Sequence, residues 1–282
     1  MQLVTTQNTR TLPHLRRFAP HYAMLRAALQ LGAYLSDGIA TGFAHGFDSG
    51  PMLNYVYRNQ PSGRTIVGRL ADRIYLNQIG WRAIRARKML LQNYLRTALE
   101  TRHAQGLATH IVDVAAGPGR YLLELLAELD NDAIHVTCRD LDGAALEQGR
   151  QLAAGRGLAE RVRYEQGNAT DPADLAQIRP APDLVVVSGL YEILTDDAAV
   201  CRSLWGIRTI LAPGGALIFT TQVQHPQLEL IANVLTNREG KPWVMGTRSL
   251  ARVERWAREA GFHSVNSTLE PNGLFGVTYC VV

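Results

Sequence analysis

Cysteine is scarce in this chain: three among 282 residues, at positions 138, 201 and 280, with no C-x-x-C spacing. So odd and scattered a set excludes a disulfide framework and the usual zinc arrangements, and points to a reducing, cytoplasmic setting. Cys138 and Cys280 lie inside apolar runs, where a thiol behaves as a small core residue. Long hydrophobic runs are also missing. The most apolar early stretch, Ala23–Leu35, is broken by Arg26, Gln30 and Gly32, so it matches neither a membrane span nor the core of a signal peptide. Charge is sparse at 19%, and no dense run of basic residues occurs. The charge is unevenly placed, however. Residues 1–100 carry 13 Lys/Arg against four Asp/Glu, a net +9, whereas the remaining 182 residues carry a net −5. Such asymmetry fits a helical segment with solvated arginines beside an acidic domain, or a surface for an anionic ligand, nucleic acid or an anionic membrane.

What is present falls into two regimes. Residues 1–15 are polar and predict weak order. Helical spacing of apolar residues follows over about Leu15–Leu35, then a glycine-rich patch from Gly38 to Gly50, then helical patterns over about Met52–Arg58, Val67–Gln78 and Trp81–His103. Asn59-Gln60-Pro61-Ser62-Gly63 reads as a turn between two of them. Near residue 108 the pattern changes to strand–helix alternation. Strands are predicted at His110–Ala115, Ile134–Asp140, Val162–Gln166, Asp183–Gly189 and Gly215–Gln222. The intervening helices are predicted at Gly119–Glu128, Asp142–Arg156, Asp171–Ile178, Thr195–Leu211 and Arg248–Gly261. An antiparallel pair, His263–Ser267 and Gly276–Val282, closes the chain. Repeated strand–helix units imply an α/β fold with a mostly parallel sheet, helices on both faces and right-handed crossovers.

The chemistry-bearing string is Asp113-Val-Ala115-Ala116-Gly117-Pro-Gly119-Arg-Tyr121, a strand running through small residues into a helix. Small residues there permit a tight turn and let a ligand lie against the backbone, with the free N–H groups of the helix start above it. Alone the string is ambiguous between a chance βα turn and a dinucleotide fingerprint, and the third glycine of the latter is Leu122 here. The second strand ends in Asp140-Leu141-Asp142. An acid at that tip accepts ribose hydroxyls or caps the next helix, a role Asp142 could fill instead. Gly167-Asn168-Ala169-Thr170-Asp171 ends the third strand, and Asn168 reads either as a partner for an adenine edge or as a turn residue. Ser188-Gly189-Leu190-Tyr191-Glu192 follows the fourth strand, and Leu211-Ala-Pro-Gly-Gly215 turns into the fifth.

Taken in order, these motifs resemble the class I methyltransferases that depend on S-adenosylmethionine (SAM), over about residues 105–282. The resemblance implies a Rossmann-like, doubly wound sheet of seven strands with the last inserted antiparallel, preceded by an α-helical N-terminal cap at 1–104. It implies Asp113, Ala116, Gly117 and Gly119 around the methionine part of SAM, Asp140 at the ribose, and Asn168 with Ala169 at the adenine. Ala115, Tyr121, Leu141, Ser188 and Gly189 complete the expected SAM-binding set. Ala115 departs from the usual glycine and Asn168 from a common aspartate; both keep the needed size or polarity. The strings Tyr55-Val-Tyr57-Arg58-Asn59, Gly80-Trp81-Arg82 and His225-Pro-Gln-Leu-Glu229 are similar to a bacterial methyltransferase subgroup, some members of which are fused to or neighbour lipid-type enzymes.

Methyl transfer requires an acceptor held in line with water excluded. Tyr191 and Glu192 beyond the fourth strand, Tyr75 and Trp81 from the cap, and Gln222, His225 and Trp243 after the fifth strand are candidates to shape that space. Of these, Tyr75, Trp81, Tyr191 and His225 form the expected catalytic set. Aromatic faces favour a sulfonium cation, although Tyr75 and Trp81 could equally serve helix packing, and His225 has no carboxylate orienter in sequence. No metal is expected. The expected partner is a small-molecule substrate, or SAM alone if the cap leaves no second space. In that case the SAM amine would displace methylthioadenosine to give azetidine-2-carboxylic acid, the reaction of SAM cyclases in natural-product pathways. A SAM-binding regulatory or membrane-surface protein is a third, non-enzymatic option. No nucleic-acid partner is expected, since the basic groups are dispersed and no N-P-P-[YF] string occurs. A homodimer is left open.

Overall fold

The computed structural model describes residues 12–129 and 131–282. Residues 12–15 carry no helix or strand; the rest of the expectation of weak order for the N-terminus falls outside the described residues. Seven strands form one sheet: β1 Thr109–Asp113, β2 Ile134–Asp140, β3 Val162–Gln166, β4 Leu184–Val187, β5 Ala216–Gln222, β6 His263–Leu269 and β7 Phe275–Val281, in the order β3-β2-β1-β4-β5-β7-β6. All neighbours up to β5 pair parallel, while β7 pairs antiparallel with both β5 and β6. β4 is buried at every residue, Leu184-Val-Val-Val187, as a central strand covered on both faces must be.

The covering layers are distinct. On one face α5 (Ile79–Ala104), α6 (Arg120–Leu129) and α7 (Gly143–Ala154) pack Leu91, Leu95, Leu122 and Leu146 against Ile111, Val136, Val186 and Ile218. On the other, α8 (Pro172–Leu175), α9 (Asp197–Ile210) and α11 (Leu250–Glu259) pack Leu175, Leu204 and Val253 against Val112, Val185 and Leu217. Alternate residues of each strand thus serve opposite cores. Asp142 caps α7, accepting the N–H groups of Ala144 and Ala145 at 3.0 and 3.2 Å.

A third core lies over the C-terminal ends of the strands. It joins α1 (Pro20–Gly32), α2 (Asp37–His45), α3 (Gly50–Arg58) and α4 (Ile66–Leu76) to the start of α5, to α10 (Leu228–Val234) and to Trp243, Met245 and Phe275. The cap is therefore built from two separate stretches of chain. α5 belongs to both the cap and the sheet layer, so position 104 does not fall between two cores. The glycine-rich patch contains a helix, α2, started by the Ser36 hydroxyl accepting Ile39 N–H at 3.1 Å. Its glycines allow close packing: a Cβ on Gly38 would lie 2.6 Å from Asp72 Oδ1. Asp72 is wholly buried and accepts four bonds, from the Ser36 hydroxyl and Gly38 N–H on Oδ1, and from the Tyr55 hydroxyl and Ser62 N–H on Oδ2, at 2.5–3.0 Å. One carboxylate thereby ties α2, α3, α4 and the α3–α4 connection together.

Candidate active site

Strand order reverses between β1 and β4, and a crevice opens beyond their carboxyl ends, where open α/β sheets bind ligands. The chain leaving β1 turns through Ala115, Ala116 and Gly117. Gly117 has φ 53°, a left-handed conformation that glycine adopts without steric cost, and a Cβ there would meet nothing within 4 Å. Beside it, Asp140 Oδ2 accepts Gly117 N–H at 2.7 Å and Oδ1 accepts Asp142 N–H at 2.9 Å. Each oxygen keeps a lone pair for a further donor. Asp113 lies beneath this bend, completely buried, accepting the Tyr121 hydroxyl at 2.5 Å and Ala115 N–H at 3.1 Å. Burial pushes its carboxyl up to about 7, helped by the nearby charge of Asp140 and opposed by the Tyr121 and Ala115 bonds.

The third-strand loop is held from below. Arg139, 6% exposed, pairs with Asp174 at 2.7 Å, and Asp174 accepts Asn168 N–H at 3.1 Å. Asn168 Oδ1 accepts both the N–H and the hydroxyl of Thr170, at 2.9 and 2.8 Å. The sequence suggested that this oxygen could accept from an adenine amino group. It is instead engaged by Thr170, and the Nδ2 group is the part of the side chain that no bond among the described residues engages. The amide therefore presents donors.

The crevice is one cavity of about 580 Å³, roofed by Leu53, Asn54, Tyr57 and Ile84 of the cap. It runs from Asp140 and Asn168 past Ser188 and Gly189 to Gln222, Trp243 and Phe275. At this far end Arg87 pairs with Glu192 at 3.1 Å, both side chains almost wholly buried, and the Arg87 guanidinium lies 4.8 Å from the centroid of the Phe275 ring. Arg248, 2% exposed, fixes the segment carrying Glu192: Nη1 donates to Tyr191 O at 2.5 Å, Nη2 to Leu194 O at 2.7 Å and Nε to Asp197 at 2.8 Å. Glu192 Oε2, both amide atoms of Gln222 and Trp243 Nε1 are buried without a hydrogen-bond partner among the described residues. Buried polar atoms are normally paired; these four belong to residues that line the cavity, but the atoms themselves are covered by protein.

Most of the expected ligand-binding set comes together here. Ala115, Ala116, Gly117, Tyr121, Asp140, Leu141, Asn168, Ala169, Ser188 and Gly189 all line the cavity. Asp113 and Gly119 are not among the lining residues. Asp113 supports the bend from inside the core, and Gly119 packs against β2, where a Cβ would lie 2.7 Å from Cys138 Sγ. None of the four expected catalytic side chains lines the cavity. Tyr191 is 1% exposed, donates its hydroxyl to Ser203 Oγ at 3.0 Å and packs edge-on against Phe219, pointing into the core beneath β5 rather than above it. Trp81 is stacked behind Trp243, with ring centroids 6.0 Å apart, and Tyr75 packs edge-on against Trp81. His225 is packed against Gly80, its Nδ1 accepts Gln227 N–H at 3.1 Å, and burial pulls its pKa down to about 4. Arg87 was missed by sequence reasoning. On α5 it stands among Arg82, Arg85 and Lys88, and its spacing does not separate it from solvated neighbours.

Among the described residues, no group of three or more His, Cys, Asp or Glu is placed to hold a metal ion, and no helix is long and apolar enough to cross a membrane. The seven-stranded sheet with its antiparallel β7, and the crevice at the switch point, form the fold of class I methyltransferases. The family profile described as "Putative methyltransferase" matches residues 5–281, and the chain belongs to that family. It is 44% identical over 261 residues to the "Uncharacterized protein YnbC" of Escherichia coli K12, covering 92% of this chain and 44% of that protein. The chain spans less than half the length of the curated relatives it matches. Among solved structures it resembles a "possible exported protein" from Bordetella parapertussis, with TM-score 0.64, 19% identity and coverage of 93% of this chain and 98% of that one. It also resembles the S-adenosylmethionine-dependent methyltransferase SibL, with TM-score 0.55, 22% identity and coverage of 93% and 77%. At these identities the structural likeness establishes the fold.

Proposed function

We propose that this protein transfers a methyl group from SAM to a small molecule. One observation carries the reading: a single cavity extends from Asp140 and Asn168 at one end to Glu192, Gln222 and Trp243 at the other. A site for SAM as sole substrate would have no use for the second end. The residues at the first end suit SAM. Ala115, Ala116 and Gly117 leave their backbone open to a ligand, Asp140 retains acceptor capacity for the ribose hydroxyls, and Asn168 offers Nδ2 donors to a ring nitrogen of the base. Leu141, 65% exposed at the cavity wall, offers an apolar face to the base. Ser188 and Gly189 stand between the two ends. When bound, SAM supplies an electrophilic methyl carbon on a sulfonium. The chain's own contribution is to orient the acceptor and exclude water through the cap roof.

The test is incubation of the protein with SAM, with and without a small-molecule fraction of bacterial extract, read by mass spectrometry. S-adenosylhomocysteine that forms only with the extract is the expected result. Methylthioadenosine with azetidine-2-carboxylic acid from SAM alone would establish the cyclase reaction instead, and binding without turnover would favour a regulatory role. Asp140→Ala is expected to weaken SAM binding by about 1–3 kcal/mol through lost charged hydrogen bonds. Equal calorimetric affinity for the variant would remove the ribose assignment.

A further inference from the structure

The fourth cap helix is built the opposite way round from a helix that faces water. α4 turns Gly68, Asp72 and Leu76 inward, at i, i+4 and i+8, and Asp72 is wholly buried. Its outer face carries Ile66, Val67, Leu70 and Ile74, which are 57–77% exposed. The spacing of these four aliphatic side chains puts them on one side of the helix. A helix on the surface of a soluble protein normally turns its apolar stripe to the core and its charges to solvent. The apolar face continues beyond α4. Ser36 pairs with Gly63 in a β-bridge, and a Cβ on Gly68 would lie 2.3 Å from Leu35 O, so the end of α1 and the residues after it run beside the start of α4. Leu31, Tyr34 and Leu35 are exposed there as well. Apolar surface of this extent marks a place where a protein meets something other than water.

Charge narrows the class of partner. Arg64, Arg69 and Arg73 stand exposed on α4 and just before it, and Asp72 is the only acid in the chain between Asp48 and Glu100. The elements packed against α4 are α2, α3 and the first two turns of α5. Their charged side chains are Asp37 and His45, Arg58, and Arg82 and Arg85. Asp37, which accepts the Ser62 hydroxyl at 2.6 Å, is the one exposed carboxylate of these elements. This part of the cap is therefore strongly cationic as well as apolar. A second copy of the chain docking face to face would bring the same arginines together, a like-charge contact. An anionic lipid surface satisfies both features at once, because aliphatic side chains enter the acyl boundary while arginines meet headgroup phosphates. We propose that this face of the cap docks on an anionic membrane surface, with Ile66, Val67, Leu70 and Ile74 at the acyl boundary and Arg64, Arg69 and Arg73 on the phosphates. The docking is peripheral, since α4 has only 11 residues. It does not depend on the methyl-transfer reading.

The test uses the whole chain and sedimentation with vesicles of phosphatidylcholine alone, or of phosphatidylcholine with about 30% phosphatidylglycerol. Binding to the anionic vesicles is expected to be at least about tenfold tighter than to the neutral ones at about 0.1 M salt, and to weaken at about 0.5 M. The triple variant Arg64→Gln, Arg69→Gln, Arg73→Gln is expected to bind the anionic vesicles about a hundredfold more weakly, about fivefold for each arginine. The double variant Leu70→Ser, Ile74→Ser is expected to bind them about tenfold more weakly. Its Tm in the absence of vesicles is expected to be unchanged or raised, since both side chains already stand in water. No binding to the anionic vesicles, equal binding to both kinds, or undiminished binding by the double variant would overturn the proposal. A lowered Tm in the double variant would overturn it too, by showing that the protein covers this face itself. So would a dimer in sedimentation velocity that the double variant abolishes, which would give the face to a second copy.

Discussion

Asp113 is a carboxyl group held where water cannot reach it, and its proton is thermodynamically coupled to folding. Its folded-state pKa, about 7, lies well above the roughly 4 of an unfolded aspartate. Between those values the folded chain keeps a proton that the unfolded chain has released. The stability that this proton contributes is complete below about pH 4, declines as pH rises through the window, and is lost above about 7. Asp113→Asn lacks the titration. Its Tm is expected to gain on that of the wild type from pH 4 to pH 7 and then to run parallel, as measured by thermal denaturation in matched buffers; parallel curves throughout would mean that Asp113 is ionised in the fold. This residue also shows where sequence reading stops. The acid in the motif was legible, and its place near the crevice was expected. That it faces the core and Tyr121, while Asp140 faces the cavity, depends on the pleat of β1 and the path of the turn. His225 and Tyr191 fail as catalytic candidates for a similar reason: their positions after strand ends were right, but their side chains turn away from the crevice.

At the level of elements, the sheet was readable because parallel strands buried on both faces must be apolar runs, and the helices between them must show one apolar stripe. Strand ends moved by a residue or two, the usual uncertainty of boundaries. The cap was less readable. α2 hides in a glycine-rich stretch because Gly38 and Gly42 serve close packing against Asp72 and Phe47, which local composition does not reveal. α10 is seven residues long, and its partners lie far away in sequence. Asp72 is the element-scale test. Asp72→Ala would leave the Ser36 and Tyr55 hydroxyls and the Gly38 and Ser62 N–H groups without their acceptor. A loss of about 3 kcal/mol or more is expected, with hydrogen exchange accelerating in α2, α3 and α4 ahead of β1 and β4. Uniform acceleration across the sheet would show that the cap and sheet melt as one unit.

For the whole molecule, the expected division at residue 104 separates sequence patterns but not cores. Leu91, Leu95 and Leu99 of α5 share a core with Ile111, Ile218 and Val277. Removing a buried leucine side chain costs about 2–5 kcal/mol. A fragment comprising residues 105–282 would lose three of them at once and is expected to give no cooperative thermal transition, whereas the full chain gives one. A sharp transition in the fragment would show that α5 is dispensable to the sheet.

The two-part construction of the cap also sets an order of events. Phe47, Met52 and Trp81 cannot find Ile231, Val234 and Trp243 until the intervening strands and helices have emerged and β5 has been laid down. Contacts of such long sequence separation form slowly, because much chain entropy is lost before they return any stabilisation. During synthesis, then, α1 to α4 wait with their apolar faces uncovered while the central strands assemble. The cavity beneath the cap is enclosed only after β5 and the segment carrying Trp243 are in place.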